Sequence, residues 1–370
     1  MHATGIVSGP VVGPAAAPRH ASSRRRFPRR RFPRRRPPPR NELMTAIPVI
    51  DLAHARASES NRKSIAAQID RANREVGFLT VINHGIETDL LSDVLSVTHA
   101  FFDLPEPAKN AYIGDPASSR GYIAPRARAL AGTRGVMTPG DLVELFAMGM
   151  PHVPDEPYFD ISNSGNNFHP NIWPAEIPGM ERIWTAYYQR VAALAREIMS
   201  LFAEALDLEP DFFEDKIDKP ISNLFANCYP PITTEPLPGQ LRVGEHTDYG
   251  TLTLLYQPDE VGGLEVQVNG SWFPVPAIAG AYVVNIGDLM ARWTNDRWIS
   301  TLHRVQNPPE ETRHLRRLSL PFFCQPNYDA VIETLPSCVS AGNPAHYPPI
   351  TSGENVRGKT DTSFAVAAST

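Results

Sequence analysis

Three observations predict an α+β protein with helices first and an antiparallel jelly-roll or barrel core second. Helical periodicity runs through much of the chain before Pro220. After Pro220 the pattern changes to period two and short apolar runs. Between two of those runs lies Asn269-Gly270, a strong signal for a two-residue hairpin.

Taken in order, Ile47–Leu52 reads as a short strand. A helix is predicted over Ser60–Val76, where Ile65, Ile69, Ala72 and Val76 recur at three- and four-residue spacing. Gly77–Gly85 (GFLTVINHG) reads as a buried strand ending in a turn, and a second helix covers about Asp89–Phe102. Residues 103–175 are rich in Pro, Gly, Ser and Asn and read as irregular covering loops. The longest helix runs from about Met180 to Leu206, with Ile183, Tyr187, Val191, Leu194, Ile198 and Phe202 on one face. Strands are expected near 224–229, 241–246, 251–257, 264–268, 271–275, 281–286, 299–305 and 315–323. About eight short strands at regular spacing suit a jelly roll or barrel. The chain therefore divides into a tail (1–43), an N-terminal region (44–175), a helical segment (176–219), a β core (220–325) and a C-terminal covering segment (326–370).

The net charge of −5 over 370 residues conceals two unlike parts. Residues 1–43 hold 11 Arg and one Glu, for +10, and the remaining 24 basic and 39 acidic groups give −15. An acidic body repels phosphate, so nucleic-acid binding by the fold is not expected. No apolar run reaches the ~20 residues of a membrane span. Cys228, Cys324 and Cys338 are an odd number without C-x-x-C spacing. That excludes a disulfide framework and fits a reducing, cytoplasmic setting. A monomer is expected.

Within the tail, Arg24–Arg40 reads RRRFPRRRFPRRRPPPR, in which like charges repel and Pro removes donors, so no packed structure is expected. No apolar segment follows the arginines, as an export signal would need. The tail is either a basic arm for an anionic partner or sequence outside the working protein. The second reading is favoured, because Met44-Thr45-Ala46 offers an initiator and 30 Arg against 5 Lys is the bias of a GC-rich genome.

The chemistry is carried further along. In Glu245-His246-Thr247-Asp248-Tyr249-Gly250, His246 and Asp248 are two apart and share one face of an extended chain. With 11 His and 19 Asp, about 0.6 such pairs arise by chance, so the motif needs context. His303 supplies it, 57 residues on in Ser300–Val305, where a folded-back strand could bring it near. Two histidines and a carboxylate on one face make the facial triad of non-haem Fe(II) oxygenases. Arg317 and Ser319 alternate on a later strand, and a guanidinium fork beside a hydroxyl suits a carboxylate.

These motifs resemble the isopenicillin N synthase-like family of Fe(II)/2-oxoglutarate-dependent dioxygenases, over nearly all of residues 45–365. The likeness rests on Ile47–Leu52, Gly77–Ile86, Arg120-Gly121-Tyr122, Asn227-Cys228-Tyr229-Pro230-Pro231, His246-Thr247-Asp248, Asn285-Ile286-Gly287-Asp288, His303-Arg304-Val305 and Arg317-Leu318-Ser319, in that order. The resemblance implies a double-stranded β-helix (jelly-roll) core with N-terminal and flanking helices. It implies iron held by His246, Asp248 and His303, and 2-oxoglutarate gripped by Arg317 and Ser319 with Tyr229 and Asn227 assisting. It implies O2 as second cosubstrate and hydroxylation or desaturation of a small molecule, in specialised or antibiotic metabolism. Halide-transferring relatives have a small residue where Asp248 stands, so halogenation is not expected. Val143 stands where many relatives carry Lys and Phe225 where many carry Arg, in regions that shape the substrate pocket.

Phe146 and Trp293 are expected to line that pocket, and the loops in 103–175, the segment 232–240 and the end 326–370 to line or cover it. Two other functions fit the same sequence. One is an oxidase of the same fold that uses Arg317 and Ser319 for its own substrate's carboxylate, without 2-oxoglutarate. The other is a non-catalytic jelly-roll binding protein using the Arg tail on nucleic acid.

Overall fold

The computed structural model describes residues 47–358, apart from 116–117, 166 and 259–260; the tail and the two readings of it lie outside these residues. Among the described residues, four strands precede residue 180: β1 (Val49–Asp51), β2 (Phe78–Ile82), β3 (Gly121–Ile123) and β4 (Glu144–Met148). Eight follow Pro220: β5 (Asn223–Tyr229), β6 (Val243–His246), β7 (Leu252–Tyr256), β8 (Leu264–Val268), β9 (Ser271–Pro274), β10 (Tyr282–Ile286), β11 (His303–Val305) and β12 (Arg317–Cys324). A short pair, β13 (Val331–Ile332) and β14 (Ile350–Thr351), comes last among the described residues. The chain mixes helix and strand, and its two larger sheets are open. One has the order β1-β2-β10-β7-β12-β5-β4-β3 and the other β6-β11-β8-β9. Only β1 and β2 pair in parallel within them; the other ladders are antiparallel.

Parity along the strands decides what each face buries. Even-numbered residues of β5, β7, β10 and β12 (Leu224, Ala226, Cys228, Leu252, Leu254, Tyr282, Val284, Leu318, Leu320, Phe322) join the core shared with the helices. The helix Met180–Ala205 lies there, burying Trp184, Tyr187, Val191, Leu194, Ile198 and Phe202, and the Tyr187 and Tyr282 hydroxyls meet at 2.9 Å. Odd-numbered residues (Val143, Leu145, Ala147, Phe225, Tyr229, Val283) face a second core with Val243, Leu264, Val266, Phe273 and Val305 of the smaller sheet. A period of two thus assigns each strand residue to one side or the other.

The helices Glu59–Glu75, Thr88–Phe102 and Met180–Ala205 lie within one or two residues of the predicted ends. The Asn269-Gly270 turn joins β8 to β9 with both residues at positive φ (52° and 80°), the combination a type I′ turn requires. Elsewhere the sequence reading needs correction. Residues 103–175 are not all loop, because β3 and β4 extend the large sheet beside β5. β4 is buried on both faces, so Glu144-Leu145-Phe146-Ala147-Met148 shows no polar alternation to read. Its Glu144 is held by Lys109 Nζ at 2.6 Å and the Tyr122 hydroxyl at 2.8 Å. The strand expected over 299–305 contracts to β11, since the Ile299 N–H is taken by the Asn73 carbonyl at 2.9 Å.

Candidate active site

β6 and β11 pair so that His303 stands directly opposite His246, with ring centroids 4.2 Å apart. Asp248 follows two residues beyond His246, just past the end of β6. Its Oδ1 lies 3.8 Å from His246 Nε2 and 3.7 Å from His303 Nε2, and the three ligand atoms fall within 4.8 Å of one another. All three side chains are buried.

Each ligand is aimed by its neighbours. His246 Nδ1 meets the Gly244 carbonyl at 2.8 Å and His303 Nδ1 the Thr301 carbonyl at 3.0 Å. A carbonyl can only accept, so Nδ1 carries the proton and Nε2 presents its lone pair to the centre. Asp248 Oδ2 accepts from Thr253 Oγ1 at 2.6 Å and Asn285 Nδ2 at 2.7 Å, which leaves Oδ1 to the metal. Burial, reinforced by His303, pushes His246 down to about 4, so its imidazole is neutral at pH 7. Burial alone would raise the Asp248 carboxyl. The two histidines and the bonds from Asn285 and Thr253 outweigh it and hold the group below the usual carboxylate range.

The Asn285–Asp288 motif acquires a physical reason here. Asn285 points inward by parity with Val283, and the Asp288 N–H bonds the Asp248 carbonyl at 2.8 Å. Between them a Cβ at Gly287 would stand 2.2 Å from the Gly250 carbonyl oxygen, so only glycine lets the two segments approach.

A pocket between the two sheets contains the triad and is walled by Phe78, Val143, Leu145, Phe225, Leu255 and Phe323. Arg317, Ser319, Tyr229 and Asn227 line it too, as cross-strand neighbours on β12 and β5 (Arg317 opposite Tyr229, Ser319 opposite Asn227). Arg317 is 1% exposed, donates to Gln257 Oε1 at 2.6 Å, and lies 4.7 Å from the Tyr229 ring centroid.

Neither Phe146 nor Trp293 lines this pocket. Phe146 is an even-numbered residue of β4, packed outward against Phe101 and Trp184. Trp293 ends a short helix, Asp288–Trp293, and packs on Phe213 in the same core. Of the expected covering segments, 103–175 contributes Ser119, Arg128, Leu130, Asp141, Val143 and Leu145, and 326–358 contributes Val356. Segment 232–240 adds nothing to the wall among the described residues. Sequence reasoning misses Thr253, Arg128, Ser119, Asn223 and Gln325; inward parity could have found Thr253 and Asn223, whereas nothing local marks the loop residues.

Residues 47–176 match the family described as non-haem dioxygenase in morphine synthesis N-terminal, and residues 220–326 match the 2OG-Fe(II) oxygenase superfamily. Among curated proteins, validamycin A dioxygenase of Streptomyces hygroscopicus subsp. limoneus is 34% identical over 319 residues, 84% of this chain and 85% of that protein. The chain belongs to the isopenicillin N synthase-like Fe(II)/2-oxoglutarate oxygenases. A 2-oxoglutarate-Fe(II) type oxidoreductase of Emericella nidulans is 35% identical to this oxygenase, covering 87% of it and 92% of the relative. A full-length Neurospora crassa protein, crystallised in complex with alpha-KG and thymine, superposes with a TM-score of 0.73 at 32% identity, covering 85% of this chain and 96% of that one. The oxygenase is a non-haem Fe(II), 2-oxoglutarate-dependent dioxygenase, and its donor set of two imidazoles and one carboxylate suits that metal.

Proposed function

We propose that this oxygenase hydroxylates a small organic molecule in specialised metabolism, on a double-stranded β-helix core, with 2-oxoglutarate anchored through Arg317 and Ser319. A monomeric, cytoplasmic enzyme is part of the same reading. The observation that carries it is the buried Arg317 guanidinium. It lines the triad pocket, its hydrogen bonds go to the neutral Gln257 and Ser319, and no carboxylate among the described residues pairs with it. A guanidinium buried without an anion is costly, and a bound dicarboxylate offsets that cost. Support for a small-molecule substrate comes from one relative named for validamycin A and another crystallised with thymine.

When bound, Fe(II) with 2-oxoglutarate and O2 supplies the oxidising chemistry. The chain supplies the rest. His246, Asp248 and His303 would hold the metal. Arg317 and Ser319 hold the distal carboxylate of the cosubstrate, with Tyr229 and Asn227 alongside. Phe78, Leu255 and Phe323 exclude water. Oxygen uptake is expected to require 2-oxoglutarate and to release succinate, and Arg317→Gln to raise the 2-oxoglutarate KM about 10- to 100-fold, as loss of charged hydrogen bonds does. Substrate-driven uptake of equal rate without 2-oxoglutarate would sink the proposal in favour of the cosubstrate-independent oxidase.

A further inference from the structure

The pocket contains a second guanidinium that the chemistry above leaves unused. Along β5 the inward side chains run Tyr229, Asn227, Phe225, Asn223, and β12 faces them with Arg317, Ser319, Pro321 and Phe323. The Tyr229 end is polar. Four residues away, about 13 Å along an extended strand, the walls become Phe225 and Phe323, which meet edge to face at 5.3 Å. Arg128 lies at this apolar end. Its guanidinium carbon is 5.5 Å from the Phe225 ring centroid, and its Nη2 donates to Ser119 Oγ at 3.0 Å. Arg128 and Ser119 both line the pocket that holds the triad.

The backbone fixes Arg128 in place. Its carbonyl accepts from the Asp141 N–H at 2.8 Å, and the Asp141 carbonyl accepts from the Arg126 N–H at 3.0 Å. The Asp141 carboxylate then takes the Leu130 N–H at 3.0 Å and the Gly244 N–H at 2.9 Å. The segment is thereby tied to β6, the strand that ends in His246. A Cβ at Gly244 would stand 3.1 Å from the Ala131 Cβ, so a glycine lets this segment lie close. Burial pushes Arg128 down to about 10, which leaves it protonated at neutral pH. A half-buried charged fork against the Phe225 ring, held by its main chain, suits an anion attached to an apolar body.

We propose that Arg128, with Ser119, binds a carboxylate carried by the substrate to be oxygenated, whose apolar body rests against Phe225 and Phe323. This rests on the Fe(II)/2-oxoglutarate reading, in which Arg317 is already committed to the cosubstrate. The test titrates Fe(II)-loaded protein, anaerobic and saturated with 2-oxoglutarate, with matched pairs of probes by calorimetry. The pairs are benzoate and benzamide, phenylacetate and phenylacetamide, hexanoate and hexanamide. At least one carboxylate is expected to bind about tenfold more tightly than its amide, the scale of a charged hydrogen bond. Arg128→Gln is expected to erase that preference and Arg128→Lys to retain part of it, with the 2-oxoglutarate Kd the same in all three proteins. Absence of any preference in the wild type, or its survival in Arg128→Gln, overturns the proposal. Failure of wild-type protein to bind 2-oxoglutarate overturns both this proposal and the reading beneath it.

Discussion

At Asp248 the two carboxylate oxygens have different tasks, and the difference can be measured. Oδ2 is spent on Thr253 and Asn285, which hold the group in the one orientation that gives Oδ1 to the metal. Removing such supports typically lowers metal affinity 10- to 100-fold without touching a ligand. Thr253→Val combined with Asn285→Ala is therefore expected to weaken Fe(II) binding by about that factor, read by anaerobic metal titration, while the far-UV spectrum of the protein is unchanged. An affinity equal to wild type would show that Asp248 is oriented by its backbone alone. The triad itself is legible in the sequence, because H-x-D and a distant His are few residues of distinctive chemistry. Its supports are not, because Thr and Asn are common and only their place on inward faces of β7 and β10 gives them meaning. Asn285 can be quoted as part of a motif, yet its bond to Asp248 needs the ladder that pairs it with Thr253.

Among whole elements, β4 is where the sequence reading and the structure part company. A strand covered on both faces looks the same as an apolar stretch of loop, so its parity cannot be set from sequence, and the expectation for Phe146 falls on the wrong side. The eight later strands are legible because turns such as Asn269-Gly270 bound them and polar residues alternate on the more open ones. The consequence for β4 is a contrast between adjacent residues. Phe146 faces Phe101 and Trp184, so Phe146→Ala is expected to cost about 3–5 kcal/mol in urea unfolding, the usual range for a core aromatic. The substrate KM of the protein that remains folded is expected to be close to wild type. Leu145 lines the pocket instead, and Leu145→Trp is expected to raise that KM with a smaller change in stability. If Phe146→Ala altered KM while leaving stability intact, the parity of β4 would be wrong.

Over the molecule as a whole, charge separates what the fold does from what precedes it. The triad and the pocket lie within the described residues 47–358, in the part of the chain that carries −15, while +10 sits in residues 1–43. Lys and Arg that neutralise a polyanion release counterions, so their contribution falls steeply with salt. An acidic body contributes repulsion to the same encounter. The full chain is therefore expected to be retained on immobilised heparin at low salt and released as salt rises, and a chain starting at Met44 to pass through at low salt. Neither the dependence of oxygen uptake on 2-oxoglutarate nor kcat is expected to change on that deletion, since every residue assigned to the metal, the cosubstrate and the substrate lies beyond it. Equal retention of the two proteins would place the polyanion-binding charge on the folded body. A lower kcat in the shorter chain would make the tail part of the working enzyme, against the reading of it as sequence outside the working protein.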